Sequence, residues 1–317
     1  MFELEILTLE PQSSSAGRKP KKPAKRDAST THGKQSQNAD LRQGTAPKMD
    51  LSAGTRILDP QPDTLKQTKC VKSMVFISGI YLNPKPQDSQ ATVFNSPTGW
   101  KQYLTTYFPN TKIYFVQTFL KPEHEQAATK AQKLEKAETP QPTKQLAQQL
   151  LAKFQELKVQ TPLPVLAHGA GGRIAVNLLD LKPDFASHLI IFGTRFFKRR
   201  FIRELLVEVI KKFKLPRALE KIVLPERFDS KTATRAWWTL WDEDLSDILP
   251  KINVPTLLLW GDRDLGNPFV NAIEAQRKIK NSIFRILVDG TYYEPYKSVL
   301  DELAKLIAKF VCNLSAR

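Results

Sequence analysis

The sequence predicts an α/β fold with a mostly parallel central sheet and helices on both faces. From about residue 71, apolar runs typical of strands alternate with amphipathic runs typical of helices. The strand runs are mostly apolar, as expected for strands covered on both faces, and this alternation is typical of parallel sheets. Residues 195–250 interrupt the alternation with helix-like patterns. We therefore expect a helical lid over the carboxyl ends of the strands, where open α/β sheets bind ligands.

The elements follow from local patterns, beginning with MFELEILTLE at residues 1–10, which alternates apolar with acidic or polar residues and predicts an edge strand. Short apolar runs, several ending at glycine, predict strands at 71–80, 112–119, 164–169, 187–197, 255–262 and 282–290. Apolar residues at three- and four-residue spacing predict helices at 99–108, 143–158, 170–181, 234–248, 267–280 and 294–312.

The chain is strongly basic. Its 317 residues hold 48 Lys and Arg against 32 Asp and Glu, a net charge of +16 with a pI near 9.7, which favours anionic partners. Residues 11–70 are also basic and are rich in Ser, Pro, Gln and Thr. We therefore expect a disordered basic tail or linker before a domain at 71–317. The part of this segment richest in basic residues contains Lys21, Lys22, Lys25 and Arg26. It is interpreted as a nuclear localisation signal, a nucleic-acid-binding arm or a solvated tail.

A second basic block lies within the predicted lid, where apolar pairs from 201 to 213 recur at helical spacing. The helix either packs on its own domain with a solvated basic face or docks on a partner or membrane surface. Its candidate binding residues are Lys198, Arg199, Arg200, Arg203, Lys211, Lys212 and Lys214. Three tryptophans follow this block in sequence, at Trp237, Trp238 and Trp241. They either form core between lid and sheet or line a lid pocket.

Several classes are excluded by composition. No apolar run approaches the roughly 18 residues of a membrane span, and residues 1–10 lack the pattern of a secretory signal. Two cysteines, Cys70 and Cys312, are too few for a disulfide scaffold and fit a reducing compartment. We expect an intracellular protein, in the cytoplasm or in an organelle such as a mitochondrion or chloroplast. No metal or cofactor is indicated, because no Cys and His cluster has zinc spacing.

One turn carries a motif. After the strand at 164–169 the sequence reads His-Gly-Ala-Gly-Gly-Arg and continues as a helix. A dinucleotide fingerprint would need glycine where Ile174 stands, and a phosphate-binding loop would need Gly-Lys-Ser/Thr. The nucleophile elbow, G-x-S-x-G, fits the strand–turn–helix context better. Together with LPKINVPTLLLWGDRDLGNP and ILVDGTYYEPYKSVLDELAKLIAKF, this segment makes residues 71–312 resemble a lidded α/β-hydrolase.

The resemblance implies a degenerate triad. It places the nucleophile at Gly169, the acid at Asp264 and the histidine at Thr291, with oxyanion amides at Ile80 and Ala170. Glycine has no nucleophilic side chain, and all four histidines of the chain lie at or before residue 188. None of them belongs to the loop after the last strand, from which the base of this family reaches the elbow.

Three functions remain open from the sequence. The first is an inactive α/β-hydrolase-like protein that acts as a binding or structural subunit, with acidic protein or an RNA–protein assembly as partner. The second is a lidded enzyme that acts by a non-standard mechanism on a small apolar substrate. The third is a lipid or membrane-surface module built on the basic helix.

Overall fold

A seven-stranded sheet forms the centre of the computed structural model, which describes residues 2–12, 62–82, 97–120, 141–198, 243–264, 267, 269–288 and 297–314. Its strands are β1 (Phe2–Leu9), β2 (Ser73–Leu82), β3 (Lys112–Leu120), β4 (Leu163–His168), β5 (Ala186–Phe192), β6 (Thr256–Gly261) and β7 (Ser282–Leu287). They lie in the order β1-β3-β2-β4-β5-β6-β7. β1 is antiparallel to β3, and every other neighbouring pair is parallel.

Helices cover both faces of this sheet. They are α1 (Pro62–Thr68), α2 (Pro97–Tyr107), α3 (Pro142–Glu156), α4 (Ala170–Leu181), α5 (Val270–Lys278) and α6 (Lys297–Leu314), with one 3-10 turn at Leu249–Lys251. The side chains of β4 show the division, because Val165 and Ala167 join the core beneath α3, α4 and α5, whereas Leu166 joins the core beneath α2 and α6. The predicted fold class, a mostly parallel sheet between two layers of helices, is confirmed.

The first residues of the chain belong to this sheet. All eight residues of β1 pair with β3, and Leu4 is buried in the core. The polar residues that alternate with the apolar ones in β1 also make contacts. Glu5 accepts a hydrogen bond of 2.9 Å from Gln117 Nε2. Lys153 Nζ donates to the Leu4 carbonyl at 2.6 Å and ties α3 to the strand. Residues 1–12 and the chain from residue 57 belong to one compact unit.

Helix α1 corrects the predicted boundary at residue 70. It lies inside the segment expected to be a basic tail, yet Thr64 and Thr68 are buried. Thr64 Oγ1 donates to Asp301 Oδ1 of α6 at 3.4 Å. The domain therefore begins by residue 62. Seven mostly polar residues are too few for a helical period to be recognised, so the sequence pattern does not predict this element.

The two cysteines are joined in the structure. Cys70 follows α1 and Cys312 lies near the end of α6, with their Cα atoms 6.1 Å apart across 242 residues of sequence. The sequence interpretation treated them as unable to staple the chain, and this part of it is wrong. Sequence spacing does not reveal that the ends of α1 and α6 meet in space. The compartment remains a prediction.

Two further predictions are corrected at the lid. The strand expected at 187–197 ends at Phe192, because Gly193 adopts a positive φ of 61° and turns the chain. The helix expected at 234–248 does not include residues 243–248, which form an extended stretch and a turn. Residues 13–61 and 199–242 lie outside the described part, and with them most of the predicted tail and lid. Among the helices that are described, none has both the length and the apolar character needed to cross a membrane.

Candidate active site

The turn between β4 and α4 has a strained conformation that favours glycine. Gly169 adopts φ 56° and ψ −124°, in a region that side chains rarely occupy without strain. Its N–H donates to the Phe192 carbonyl at 3.0 Å, and its carbonyl accepts a hydrogen bond from Gly172 N at 3.1 Å. This sharp strand-to-helix turn has the geometry in which a nucleophile elbow holds its serine.

The glycines that follow allow the helix to approach the sheet. A Cβ atom added at Gly171 would lie 2.5 Å from the Ser78 carbonyl oxygen, closer than van der Waals contact permits. A Cβ atom added at Gly172 would lie 2.8 Å from Thr194 Cβ. The first turn of α4 therefore packs directly on β2 and on the chain after β5.

Thr194 holds the turn, although no sequence pattern singles it out. It is fully buried, and its hydroxyl donates to the Gly169 carbonyl at 2.8 Å. The residue stands just after β5, the strand next to β4. A threonine at the end of an apolar strand carries no motif, so the contact emerges only from the fold.

His168 is adjacent to the elbow in sequence but faces the core. Its ring packs between Trp100 and Phe192, with centroid distances of 5.0 and 5.3 Å, and it is buried. Alternation along β4 places this side chain on the sheet face that carries α2. His168 is therefore part of an aromatic cluster.

Asp264 follows β6 and shapes the loop that leads to α5. It is buried, and its Oδ1 accepts a hydrogen bond from Asn267 N at 2.8 Å. The backbone carbonyl of Asn267 in turn accepts a hydrogen bond from Trp260 Nε1 at 2.6 Å. The side-chain oxygen of Asn267 accepts a hydrogen bond from Asn271 Nδ2 at 2.6 Å. These contacts place the Asp264 carboxylate in the loop before α5 and not at the helix itself, whose N-cap residue Phe269 has no side-chain cap hydrogen bond.

The carboxyl edge of the sheet brings two of the three triad positions together. β4, β5 and β6 are neighbours, and Gly169 and Asp264 follow the first and third of them. Strand spacing puts their backbones roughly 10 Å apart. Ala170 begins α4, and Ile80 lies in β2 beyond a register shift against β3. Thr291 lies outside the described residues.

A buried arginine ties the lid insertion to the elbow helix. Arg173 on α4 is fully buried, and its Nη1 donates to the Arg195 carbonyl at 2.6 Å. Its Nη2 donates to the Glu243 carbonyl and lies 3.5 Å from Glu243 Oε2. The two ends of the insertion also bond to each other, since Leu245 N donates to the Phe196 carbonyl at 3.0 Å. Arg173 therefore contacts the chain on both sides of residues 199–242.

Glu243 extends this contact to α3. Its carboxylate accepts hydrogen bonds from Thr143 N, at 2.9 Å, and from Thr143 Oγ1. Asn177 Nδ2 donates to the same Thr143 hydroxyl at 2.9 Å. Burial raises the pKa of Glu243, although Thr143 and Arg173 act to lower it. The sequence analysis did not single out Arg173 or Glu243, and the available signal is a lone arginine within the apolar helix AGGRIAVNLL.

Most predicted binding residues cannot be placed. Lys198 is half-buried, and its backbone N–H donates to the Asp244 carboxylate. The other basic candidates, from Lys21 to Arg26 and from Arg199 to Lys214, lie outside the described residues, as do Trp237, Trp238 and Trp241. Within the residues described, no three His, Cys, Asp or Glu side chains are grouped as metal ligands.

Comparison with solved structures decides the fold. An α/β hydrolase enzyme named MGS-M2, from a Medee basin deep-sea metagenome library, matches with a TM-score of 0.50 and 14% identity, over 76% of this chain and 89% of that one. The chain has an α/β-hydrolase fold. A thermophilic esterase from Thermogutta terrifontis also matches, with a TM-score of 0.48 and 15% identity over 77% and 90% of the two chains. No family model and no curated protein matches this α/β-hydrolase-fold chain in sequence.

Proposed function

We propose that this α/β-hydrolase-fold protein lacks hydrolytic activity and serves as a binding or structural subunit of a larger acidic or RNA-containing assembly. One observation carries the proposal. The elbow keeps its sharp turn at φ 56° and ψ −124°, but the residue at its apex is Gly169. A protein that uses this fold for binding is expected to keep the turn that supports a nucleophile and to lack the nucleophile itself.

The histidines support the inactive assignment. Acyl transfer by this fold needs a base within hydrogen-bond reach of the nucleophile. His168 packs between two aromatic rings, and His188 lies near the start of β5 with its ring 5.5 Å from Phe310. Burial lowers the pKa of His188. No histidine follows residue 188 in the sequence, so the loop after β7 supplies none.

Ser78 does not replace the missing nucleophile. It lies in β2 near the elbow helix, but it is fully buried and its hydroxyl donates to the Gly79 carbonyl at 3.0 Å. Asp264 is committed to the loop before α5. The oxyanion amides expected at Ile80 and Ala170 would remain as a weak electrostatic site, because such donors assist a reaction only when an attacking group is present.

The distribution of charge supports a binding role. Residues 13–61 hold ten Lys and Arg against four Asp, and residues 199–242 hold eleven against six Asp and Glu. These two segments carry most of the +16 net charge. Positive charge of this size attracts acidic proteins and nucleic acids through long-range fields.

The two basic segments leave the domain at opposite ends of the parallel strands, one at their amino ends and one at their carboxyl ends. Residues 13–61 begin after β1, whose Leu9 pairs with Ile113 at the start of β3, and end at α1, which leads into β2. Residues 199–242 leave and re-enter at the carboxyl edge, beside Arg173. Two separate attachment points favour a subunit that contacts a large partner over a receptor for one small ligand.

The test restores the triad. In Gly169→Ser combined with Thr291→His, the new serine occupies an elbow already shaped to hold it, and we expect labelling by a fluorophosphonate and hydrolysis of p-nitrophenyl acetate. Wild type should do neither. Gly169→Ser alone is the matched control, since it supplies the nucleophile without the base. Ester hydrolysis by wild type that disappears in Asp264→Asn would overturn the proposal in favour of an enzyme with a non-standard mechanism.

A further inference from the structure

We propose that Cys70 and Cys312 form a reversible dithiol–disulfide site, and that its reduction by a dithiol releases α1 from α6. The site is separate from the elbow and does not depend on the proposed function. It rests on the position of the two sulfurs, on the shortness of α1, and on the firm anchoring of the chain directly after Cys70.

The pair is placed so that it can open and close. The Cα atoms are 6.1 Å apart, inside the range of roughly 4.4–6.8 Å that a disulfide requires. The bond therefore re-forms without movement of the backbone once α1 is in place. Cys70 is exposed at the surface and Cys312 is half-buried, so a reductant reaches the Cys70 sulfur first.

The exchange is a two-electron step. A thiolate of the dithiol attacks Cys70 Sγ, the bond between the two protein sulfurs breaks, and Cys312 leaves as a thiolate that takes a proton from water. The second thiol of the reductant then attacks its own sulfur in the mixed disulfide and releases the Cys70 thiolate. The reductant becomes a disulfide and the protein gains two thiols. Exposed Lys69 and Lys72 flank Cys70 in sequence, and positive charge near a cysteine favours its thiolate as a leaving group.

Besides the disulfide, α1 is held by its packing on α6 and α2 and by a long hydrogen bond of 3.4 Å from Thr64 to Asp301. The helix has seven residues, far fewer than the roughly 12 at which an isolated helix becomes marginal in water. Thr64 and Thr68 are its buried side chains. The ion pair between Asp63 and Lys66 is exposed and lies within the helix itself. Reduction therefore removes the one covalent link between this short helix and α6, since the chain has no other cysteines.

The chain beyond Cys70 is anchored independently, which limits what reduction can release. Val71 is buried, and its carbonyl accepts a hydrogen bond of 2.6 Å from Thr111 Oγ1. The Lys72 carbonyl accepts one of 2.9 Å from Lys112 N. Opening is thus confined to residues 62–70. The anchor at the end of the basic segment moves from residue 62 to residue 71, which adds roughly 30 Å of extended chain to its reach.

Limited trypsin digestion tests the proposal on the full chain, because Lys66 in α1 and Lys69 directly after it are exposed cleavage sites. The protein is oxidised with oxidised glutathione or reduced with dithiothreitol, and fragments are counted by mass spectrometry after quenching. We expect cleavage after Lys66 and Lys69 to be at least about tenfold faster in the reduced protein. Lys251 is exposed and lies far from α1 in sequence. Cleavage after Lys251 is the internal reference, and its rate should not change on reduction.

Two variants complete the design. Cys70→Ser and Cys312→Ser should both show the fast cleavage with or without reductant. Equal cleavage rates in oxidised and reduced wild type, or two titratable thiols after oxidation, would overturn the proposal. A parallel increase after Lys251 would also overturn it, since reduction would then loosen the whole domain. The comparison within wild type needs no variant and stays decisive if a substitution prevents folding.

Discussion

Replacing Arg173 tests how the lid insertion is held. Arg173→Met keeps much of the side-chain volume but removes the charge from a fully buried site. The carboxylate of Glu243, whose side chain is only 5% exposed, then loses its ion pair, and the Arg195 and Glu243 carbonyls lose their donor. Breaking one partner of a buried pair costs about 3–5 kcal/mol. For a domain of this size that lowers the melting temperature by roughly 6–20 °C.

Urea unfolding measures the loss, with Lys251→Met as the matched control. Lys251 forms an ion pair with Asp180 at 3.0 Å, but its side chain is 62% exposed, so we expect its loss to cost less than about 1 kcal/mol. Arg173→Met combined with Glu243→Gln should recover part of the stability, because the unpaired buried charge is gone. A cost for Arg173→Met as small as that of the control would refute the account of this contact.

The pH dependence of the same variant has a defined sign. Burial raises the pKa of Glu243, so the folded protein holds this proton more tightly than the unfolded chain does. Stability from this group is present at low pH and is lost as pH rises through the raised pKa. Removing Arg173 raises that pKa further. The destabilisation of Arg173→Met should therefore shrink as the pH falls from about 7 to about 5.

Two further predictions concern the elbow and the tyrosines. Gly172→Ala should cost about 1–3 kcal/mol in urea unfolding, because its methyl group meets Thr194, and Thr194→Ala in the same chain should recover part of this cost. Full additivity of the two changes would contradict the packing described. Burial raises the pKa of Tyr103 and Tyr107, so the stability they contribute is present below about pH 10 and is lost above it. Phenolate absorbance should show these two of the seven tyrosines ionising only as the protein unfolds, and early ionisation of all seven would contradict their burial.

The sequence was informative wherever a pattern was long or chemically distinctive. Apolar strands separated by amphipathic helices predicted the parallel sheet, and the alternating residues 1–10 predicted a strand that the structure places as β1, at the edge. The glycines at 169, 171 and 172 predicted a sharp turn with close packing, and the structure supplies the φ angle and the close contacts. Local patterns of this kind reflect local geometry, which the chain carries in itself.

Contacts between distant segments were beyond the sequence. Thr194 meets Gly169 only because β4 and β5 are neighbours, and Cys70 meets Cys312 only because α1 docks on α6. Neither pairing leaves a periodic signal. The predicted tail extended too far for the same reason, since the burial of Thr64 depends on a helix more than two hundred residues away. Such features follow from topology and become visible only when the fold is known.

Native sedimentation tests the central claim most directly. The protein is tagged at its C-terminus, its own cells are lysed at moderate salt, and a gradient is run with and without RNase. We expect the protein to travel in a particle much larger than its 36.0 kDa mass, and a shift after RNase would show that RNA holds the particle together. Sedimentation as a free monomer under both conditions would contradict the assignment as a subunit.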